Sequence, residues 1–244
     1  MTDNELPPLH LIILAGGQSA RARRSDSTPP KQFVRLGGEM LLMRSVQELS
    51  SLAAVTSLIV VAPEPWHPVA QRELAEANLS VPCHLAPGGV TRTESTWHAI
   101  LTLGRHHEPA PGDLVAVHDA ARPFATHHLL LRLAQTAALY DAAVPGIPVS
   151  DTIVQMREGK DERVEAKYLE RKVLRALQTP QVFRWEPFQA AHQWCQSRKL
   201  SFTDDGGLLA ARGVTPVVVM GEQENWKVTT EVDLARAESL LRTI

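Results

Sequence analysis

Cysteine is nearly absent from the sequence, with Cys83 and Cys195 standing alone among 244 residues. Two isolated thiols supply neither a zinc-ligand spacing nor a disulfide framework, so a reduced cytoplasmic setting is the expectation. Long apolar runs are missing too. Nothing reaches the roughly 20 residues of a membrane span, and the opening MTDNELPP is polar and acidic rather than a targeting signal. Charge of one sign is also lacking. The formal net charge is −2, whereas a general nucleic-acid binder carries a basic excess. No repeat and no low-complexity linker divides the chain. What remains, 44% hydrophobic and 21% charged residues, is the balance of a globular protein that buries a sizeable core.

Short β-rich runs recur along the chain: LHLIILA, VTSLIVVA, VPCHLA, DLVAVHDA, AAVPGIPV and VTPVVVM. Helix-like segments separate most of them, among them MLLMRSVQELSSL, ESTWHAILTLGRHH, HHLLLRLAQTAAL and WEPFQAAHQWCQSR. TEVDLARAESLLRTI closes the chain. Near-continuous apolar character in the strands implies burial on both faces, as in a parallel sheet covered by helices. The expectation is one α/β domain over 1–244, doubly wound on a mostly parallel sheet. One stretch breaks the rhythm. Residues 150–181 are charged and weakly periodic, with a turn signal at Glu158–Gly159, and read as a projecting β-arm.

In such sheets, ligands bind at the carboxyl ends of strands where the strand order reverses. The first strand runs straight into LAGGQSARARRSDSTPPKQF (14–33). Gly16 and Gly17 permit close backbone approach, while Arg21 and Lys31 bring positive charge to the same mouth. Amide donors plus cations suit a polyphosphate. A flexible basic turn is the plainer alternative. The stretch is neither a Walker loop nor a dinucleotide fingerprint, because G-K-[ST] and G-x-G-x-x-G are both absent.

The pattern A-G-G-x-S-x-R…P-K-Q is similar to the nucleotide loop of sugar-phosphate nucleotidyltransferases. PGGVTRTES (87–95), VHDAARPF (117–124), PVSDTI (148–153), ALQTPQVF (176–183), FTDDGG (202–207) and GEQENWKVTTEVDL (221–234) follow in order. Together they resemble the 2-C-methyl-D-erythritol 4-phosphate cytidylyltransferase family of the non-mevalonate isoprenoid pathway, over nearly the whole chain. The resemblance implies a Rossmann-like nucleotidyltransferase fold. It also implies a reaction in which a phosphomonoester attacks the α-phosphorus of CTP and releases pyrophosphate. The nucleophile is already an anion, so positioning and cations carry such a reaction more than a strong base.

Residue by residue, the resemblance assigns Arg21, Lys31 and Lys227 to the phosphates and the transition state, with Lys31 first for the α-phosphate. Ala15, Gly16, Gly17, Gly89 and Ser95 would border the cytosine. Arg92 would be either a phosphate contact or a brace for its loop. Asp119 would accept a polyol hydroxyl or help hold Mg²⁺ with the triphosphate, and its plainer role is a helix cap. Arg122 would face the polyol phosphate, and His118 would be a satisfied neighbour without a catalytic role. On the arm, Thr152, Arg171 and Thr179 would reach the acceptor across a homodimer interface. The paired histidines at 106–107 and 127–128 read as exposed helix residues. Ser19 stands where the family more often has glycine, and Arg23 and Arg24 lengthen the loop. A cytidylyltransferase for another polyol phosphate, such as ribitol 5-phosphate, is the nearest rival. A non-catalytic nucleotide sensor and a triphosphate hydrolase are others.

Overall fold

The computed structural model describes residues 5–16, 29–158 and 164–241. Strand β1 (Leu9–Leu14) lies at the centre of the main sheet. On one side it pairs in parallel with β4 (Val55–Ala62), which in turn pairs with β5 (Cys83–Pro87). On its other side it pairs in parallel with β6 (Leu114–Asp119). The chain thus builds outward from β1 in one direction and then returns to build in the other. A crevice opens where that reversal occurs, at the carboxyl ends of β1 and β6. Leu14 and Asp119 are direct partners there.

Alternation along the strands explains the two helical layers. Leu9, Leu11, Ile13, Leu58, Val60 and Ala116 pack in one cluster with α1 (Leu41–Ser50) and α4 (His127–Tyr140). Ile12, Ile59, Val61, Val115 and Val117 face the opposite way, onto α3 (Arg92–His106), α5 (Trp185–Ser197) and α6 (Asp205–Ala210). Both faces of β1 are covered, hence apolar residues at five of the six positions of LHLIIL, the exception being His10, whose ring is bonded to Ser57 and Asp113. Period 2 also decides the site. Asp119 continues the Val115, Val117 face and meets α3, while His118 points to the other side.

The far half of the sheet is mixed. β11 (Gln181–Arg184) runs antiparallel between β6 and β7 (Ala142–Pro148). β10 (Arg175–Leu177) pairs antiparallel with the end of β7, and β12 (Val217–Met220) pairs with β7 in parallel. β10 and β11 are separated by the cis Thr179–Pro180 bond and escape sequence reading because Pro180 interrupts their apolar pattern. The expected arm over 150–181 is correspondingly too long. β8 (Val154–Glu158) and β9 (Val164–Tyr168) form a separate two-stranded hairpin, but from Arg175 onward the chain is back in the main sheet. A smaller hairpin, β2 (Arg35–Leu36) with β3 (Glu39–Met40), precedes α1.

Two helices also escape the pattern. Helix α2 (His67–Glu76) begins inside PEPWHP, whose prolines mask it, although Pro68 in its first turn is a favoured start. Helix α6 carries Gly206 and Gly207 because a side chain at 206 would meet Val144 Cγ1 at 3.0 Å. The last helix is α7 (Glu231–Leu241). Among the described residues, no helix is long and apolar enough to cross a membrane.

Candidate active site

The crevice at the carboxyl ends holds a cavity of about 290 Å³, lined in part by Gly16, Gly89, Arg92, Ser95, Asp119 and Lys227. These six residues come from four segments distant in sequence, brought together by the strand order.

Its floor is backbone. Gly16 follows β1, and a Cβ there would stand 3.1 Å from Gly88 Cα and 3.3 Å from Ser95 Oγ. Only glycine lets the turns after β1 and β5 touch. A Cβ on Gly89 would meet the Glu94 side chain at 2.6 Å, so that turn is equally restricted. Ala15 is buried, donating to Val61 O and accepting from Gln32 Nε2 through its carbonyl. Helix α3 starts at this turn with Thr91 as its cap, accepting from Glu94 N–H at 3.1 Å. The Ser95 hydroxyl accepts from Gly89 N–H at 2.9 Å and donates to Thr91 O at 3.0 Å. Its proton is therefore spent, and the lone pair that remains accepts only.

Asp119 is the electrostatic centre. Its Oδ1 accepts from Arg92 Nε at 3.2 Å, and its Oδ2 accepts from Lys227 Nζ at 2.6 Å. Burial by itself would raise the Asp119 carboxyl, but Arg92 and then Lys227 outweigh it and hold the group well below the usual carboxylate range. Arg92 in turn donates from Nη1 to Asp205 Oδ2 at 2.6 Å, and Asp205 Oδ1 accepts from His192 Nε2 at 3.0 Å. Burial again pushes the Asp205 carboxyl up, and Arg92 with His192 brings it down. Lys227, Asp119, Arg92 and Asp205 alternate in charge from the cavity wall inward, and His192 on the buried face of α5 ends the row.

Beside this row sits a neutral web. Thr179 Oγ1 accepts from Asp119 N–H at 3.0 Å and lies 3.2 Å from His118 Nδ1. His118 Nε2 lies 3.1 Å from Arg122 O, which only accepts, so Nε2 carries the proton and Nδ1 takes the Thr179 hydroxyl. Burial drives the His118 ring down to about 4, against a smaller opposing pull from Asp119. Asn225 completes the web by donating to Thr179 O at 2.8 Å. Arg122 Nη1 donates to Asn225 O at 2.8 Å and Nη2 to Leu177 O at 3.4 Å.

Lys227 is placed by its own motif. Val228 N–H donates to Ala121 O, tying NWKVTTEVDL back to VHDAARP. Despite a desolvation cost, Thr229 and Thr230 donors hold Asp233 at about 2, while Asp233 N–H donates to Thr230 Oγ1 at 3.2 Å. This reciprocal cap starts α7 just beyond the lysine.

The expected site residues divide into groups. Gly16, Gly89, Ser95, Asp119 and Lys227 line one cavity. Lys31, Arg122, Thr152, Arg171 and Thr179 are not among its described lining residues. Thr179 is 5% exposed, with its hydroxyl used inside the protein. Arg122 braces two backbone carbonyls, and Arg171 donates to Ser150 O at 2.6 Å beside the hairpin. Lys31 opens a short 3₁₀ turn ending at Phe33. Gly17 and Arg21 lie outside the described residues. Sequence reading passes over His192 and, inside ALQTPQVF, FTDDGG and GEQENWKVTTEVDL, over Gln178, Asp205 and Asn225; Gln178 Nε2 donates to Glu222 O at 2.7 Å and to Asn225 O at 3.1 Å. His107 and His127 depart from the exposed reading: His107 is half-buried near His84 and His10, and half-buried His127 lies 2.7 Å from Glu48 Oε1 through Nδ1. Among the described residues, no group of three His, Cys, Asp or Glu side chains could hold a metal.

Comparison with known proteins agrees with this architecture. Residues 9–243 match the family described as IspD, 2-C-methyl-D-erythritol 4-phosphate cytidylyltransferase. A relative of that name from Thermosynechococcus vestitus is 34% identical over 96% of this chain and 95% of its own. Another from Gloeobacter violaceus is 35% identical over 96% and 97%. The crystal structure of the Thermus thermophilus enzyme of the same name superposes with a TM-score of 0.74. It is 28% identical, covering 96% of this chain and 99% of that one. The chain belongs to the IspD family of 2-C-methyl-D-erythritol 4-phosphate cytidylyltransferases.

Proposed function

We propose that the crevice between β1 and β6 joins 2-C-methyl-D-erythritol 4-phosphate to CTP, giving the CDP-linked product and pyrophosphate for isoprenoid synthesis. The observation that carries this reading is the convergence of Arg92 and Lys227 on Asp119 beside the Gly16 and Gly89 backbones. The relatives' names single out the methylerythritol acceptor, and nothing favours ribitol 5-phosphate or a non-catalytic sensor.

An oxygen of the acceptor phosphate attacks the α-phosphorus of CTP. The bond from that phosphorus to the β-phosphate oxygen breaks, and pyrophosphate leaves. The barrier is repulsion between anions and charge gathering on the α-phosphate. Lys227 and Lys31, with Arg21, supply the compensating charge. Half-exposed Lys227 sits at the cavity with a partner it can share with an incoming phosphate. The glycine turns border cytosine. Because the Ser95 proton is committed to Thr91 O, its lone pair suits the exocyclic amine of cytosine and opposes the carbonyl of uracil.

Asp119 would hold magnesium together with the triphosphate, and the ion would supply positive charge against the phosphate oxygens. Its usual set, one or two carboxylates plus substrate phosphates, matches a cavity whose one carboxylate among the described residues is Asp119. Homodimerisation through the hairpin is part of the proposal, with Thr152 and Arg171 serving the partner's acceptor site. Its support is apolar surface left exposed on and beside the hairpin: Met156 at 60%, Tyr168 at 74% and Val173 at 73%. The two unpaired cysteines are in keeping with the cytoplasm.

Pyrophosphate release, measured with CTP and each of several polyol phosphates, tests the reading. Release dependent on methylerythritol phosphate, abolished by a chelator and lost when UTP replaces CTP, is the expected result. Release with no acceptor, or equal release with ribitol 5-phosphate, would overturn it.

A further inference from the structure

Arg92 is held at two of its three nitrogens, all in one plane. Nε is given to Asp119, Nη1 to Asp205, and Nη2 is buried with no partner among the described residues. Because a guanidinium is rigid and planar, fixing one edge sets the direction of the others. If only Asp119 were present, the favoured geometry would be bidentate, with two parallel N–H groups on one carboxylate. The edge able to do so here is Nε with Nη2, yet Asp119 receives Nε alone and gives Oδ2 to Lys227; Asp205, on Nη1 at the opposite corner, sets the angle of that edge.

Asp205 is itself built into place. It is 2% exposed at the start of α6, and Asp204 and Gln181 fix that turn. Gly206 N–H donates to Gln181 Oε1 at 3.1 Å, and Gln181 Nε2 donates to Asp204 Oδ2 at 2.8 Å. Behind it, fully buried His192 donates to Oδ1, leaving Oδ2 to Arg92. A carboxylate oriented this way by two elements is more than a counter-ion for the core.

We infer that Asp205, oriented by His192, is a positioning residue for cytidylyl transfer: by anchoring Nη1 it sets the angle at which Arg92 presents Nε to Asp119, so that Asp119 Oδ2 stays available to Lys227 and the substrates. The inference rests on the function proposed above. Four proteins separate the two: wild type, Asp205→Asn, Arg92→Gln and the double variant, whose two amides replace the ion pair without leaving a buried charge. Their kcat, KM for CTP and melting temperature are measured.

Asp205→Asn should lower kcat roughly tenfold while KM for CTP moves less, and the double variant should be no slower than Arg92→Gln, since residues acting through one another are not additive. A purely structural Asp205 would instead lower the melting temperature with kcat retained, or would slow the Arg92→Gln enzyme by the same factor as the wild type. Either result overturns the inference. Should Asp205→Asn not fold, His192→Gln decides the matter. A folded enzyme with kcat lowered roughly two- to threefold supports positioning, and unchanged kcat overturns it. A wild type that releases no pyrophosphate from CTP and methylerythritol phosphate would sink the functional reading instead.

Discussion

Both ends of the central sheet carry a buried histidine beside a hydroxyl, with a carboxylate close by, yet only one end is built for chemistry. At the amino end, His10 Nδ1 meets Ser57 Oγ at 2.8 Å and Nε2 meets Asp113 Oδ2 at 3.2 Å. Taken as residue types alone, this is a Ser–His–Asp arrangement. Ser57 is wholly buried, however, and Asp113 also accepts from Ala110 N–H, so the cluster ties β1 to β4 and to the turn before β6. At the carboxyl end, His118 and Thr179 form a similar neutral pair, but Asp119 next to them draws two cations beside an open cavity. In that cavity's wall Arg92 Nη2 is buried without a partner among the described residues, and so are Arg122 Nε and Asn225 Oδ1 near it, whereas at the amino end the unpartnered atom is His107 Nε2, with no carboxylate-and-cation row beside it. Satisfied polar groups hold a fold together; unsatisfied ones beside a cavity are where a ligand is received.

The largest expected effect tests the cations at the carboxyl end. Lys227→Ala and Lys31→Ala should each lower kcat by roughly 10²–10³, as when one preorganised transition-state donor is lost. CTP affinity, measured by titration calorimetry, should change less, because the contact strengthens as charge develops. Weakened CTP binding at normal turnover would move the lysine to a ground-state role.

Acid should next separate the two histidines. The buried His118 ring titrates near 4 in the folded protein against 6.5 when free. The unfolded chain binds the extra proton between those values, so stability is complete above about 6.5 and lost as pH falls towards 4, by about 3 kcal/mol. His10 is shifted the same way by burial, but Asp113 opposes that shift. The Asp119 and Asp205 contributions remain until pH falls below the usual carboxylate range. Melting temperatures from pH 7 to 4.5 should therefore fall less steeply in His118→Gln than in wild type, with His10→Gln removing the smaller share. An unchanged slope in His118→Gln would break the comparison.

A smaller effect is expected at the amino end. Ser57→Ala leaves His10 Nδ1 without its partner and should cost about 1–3 kcal/mol in urea melts while kcat stays within roughly twofold. Lost turnover in a folded Ser57→Ala protein would give that end a functional role.

Much of this was legible from the sequence. Two-faced burial showed in LHLIIL, and DLVAVHDA placed Asp119 at the end of another strand. The turn glycines and Lys227 stood inside motifs long enough to be specific. Asp205 was hidden for a different reason. Its importance depends on Arg92, 113 positions earlier in the chain, and on α6, whose two glycines conceal a helix. Thr179 illustrates the opposite error of sequence reading. A hydroxyl within a motif reads as a ligand contact, whereas the structure uses it to orient Asp119 and His118. Helix α2 and strands β10 and β11 were masked by prolines at or between their ends.

A second groove sharpens the final test. It lies between α2 and β5, is about 620 Å³ and is lined by His67, Gln71, Leu74, Cys83 and His84 among others. It is larger than the cavity at Asp119 but contains no carboxylate or strong cation among its described lining residues. Amide hydrogen exchange with and without CTP and magnesium reports directly which of the two receives the nucleotide. Slower exchange at Ala15–Gly16, Gly88–Ser95 and Trp226–Val228, with residues 67–85 unchanged, is the predicted result. Protection confined to residues 67–85 would contradict the placement of the active site at the carboxyl ends of β1 and β6.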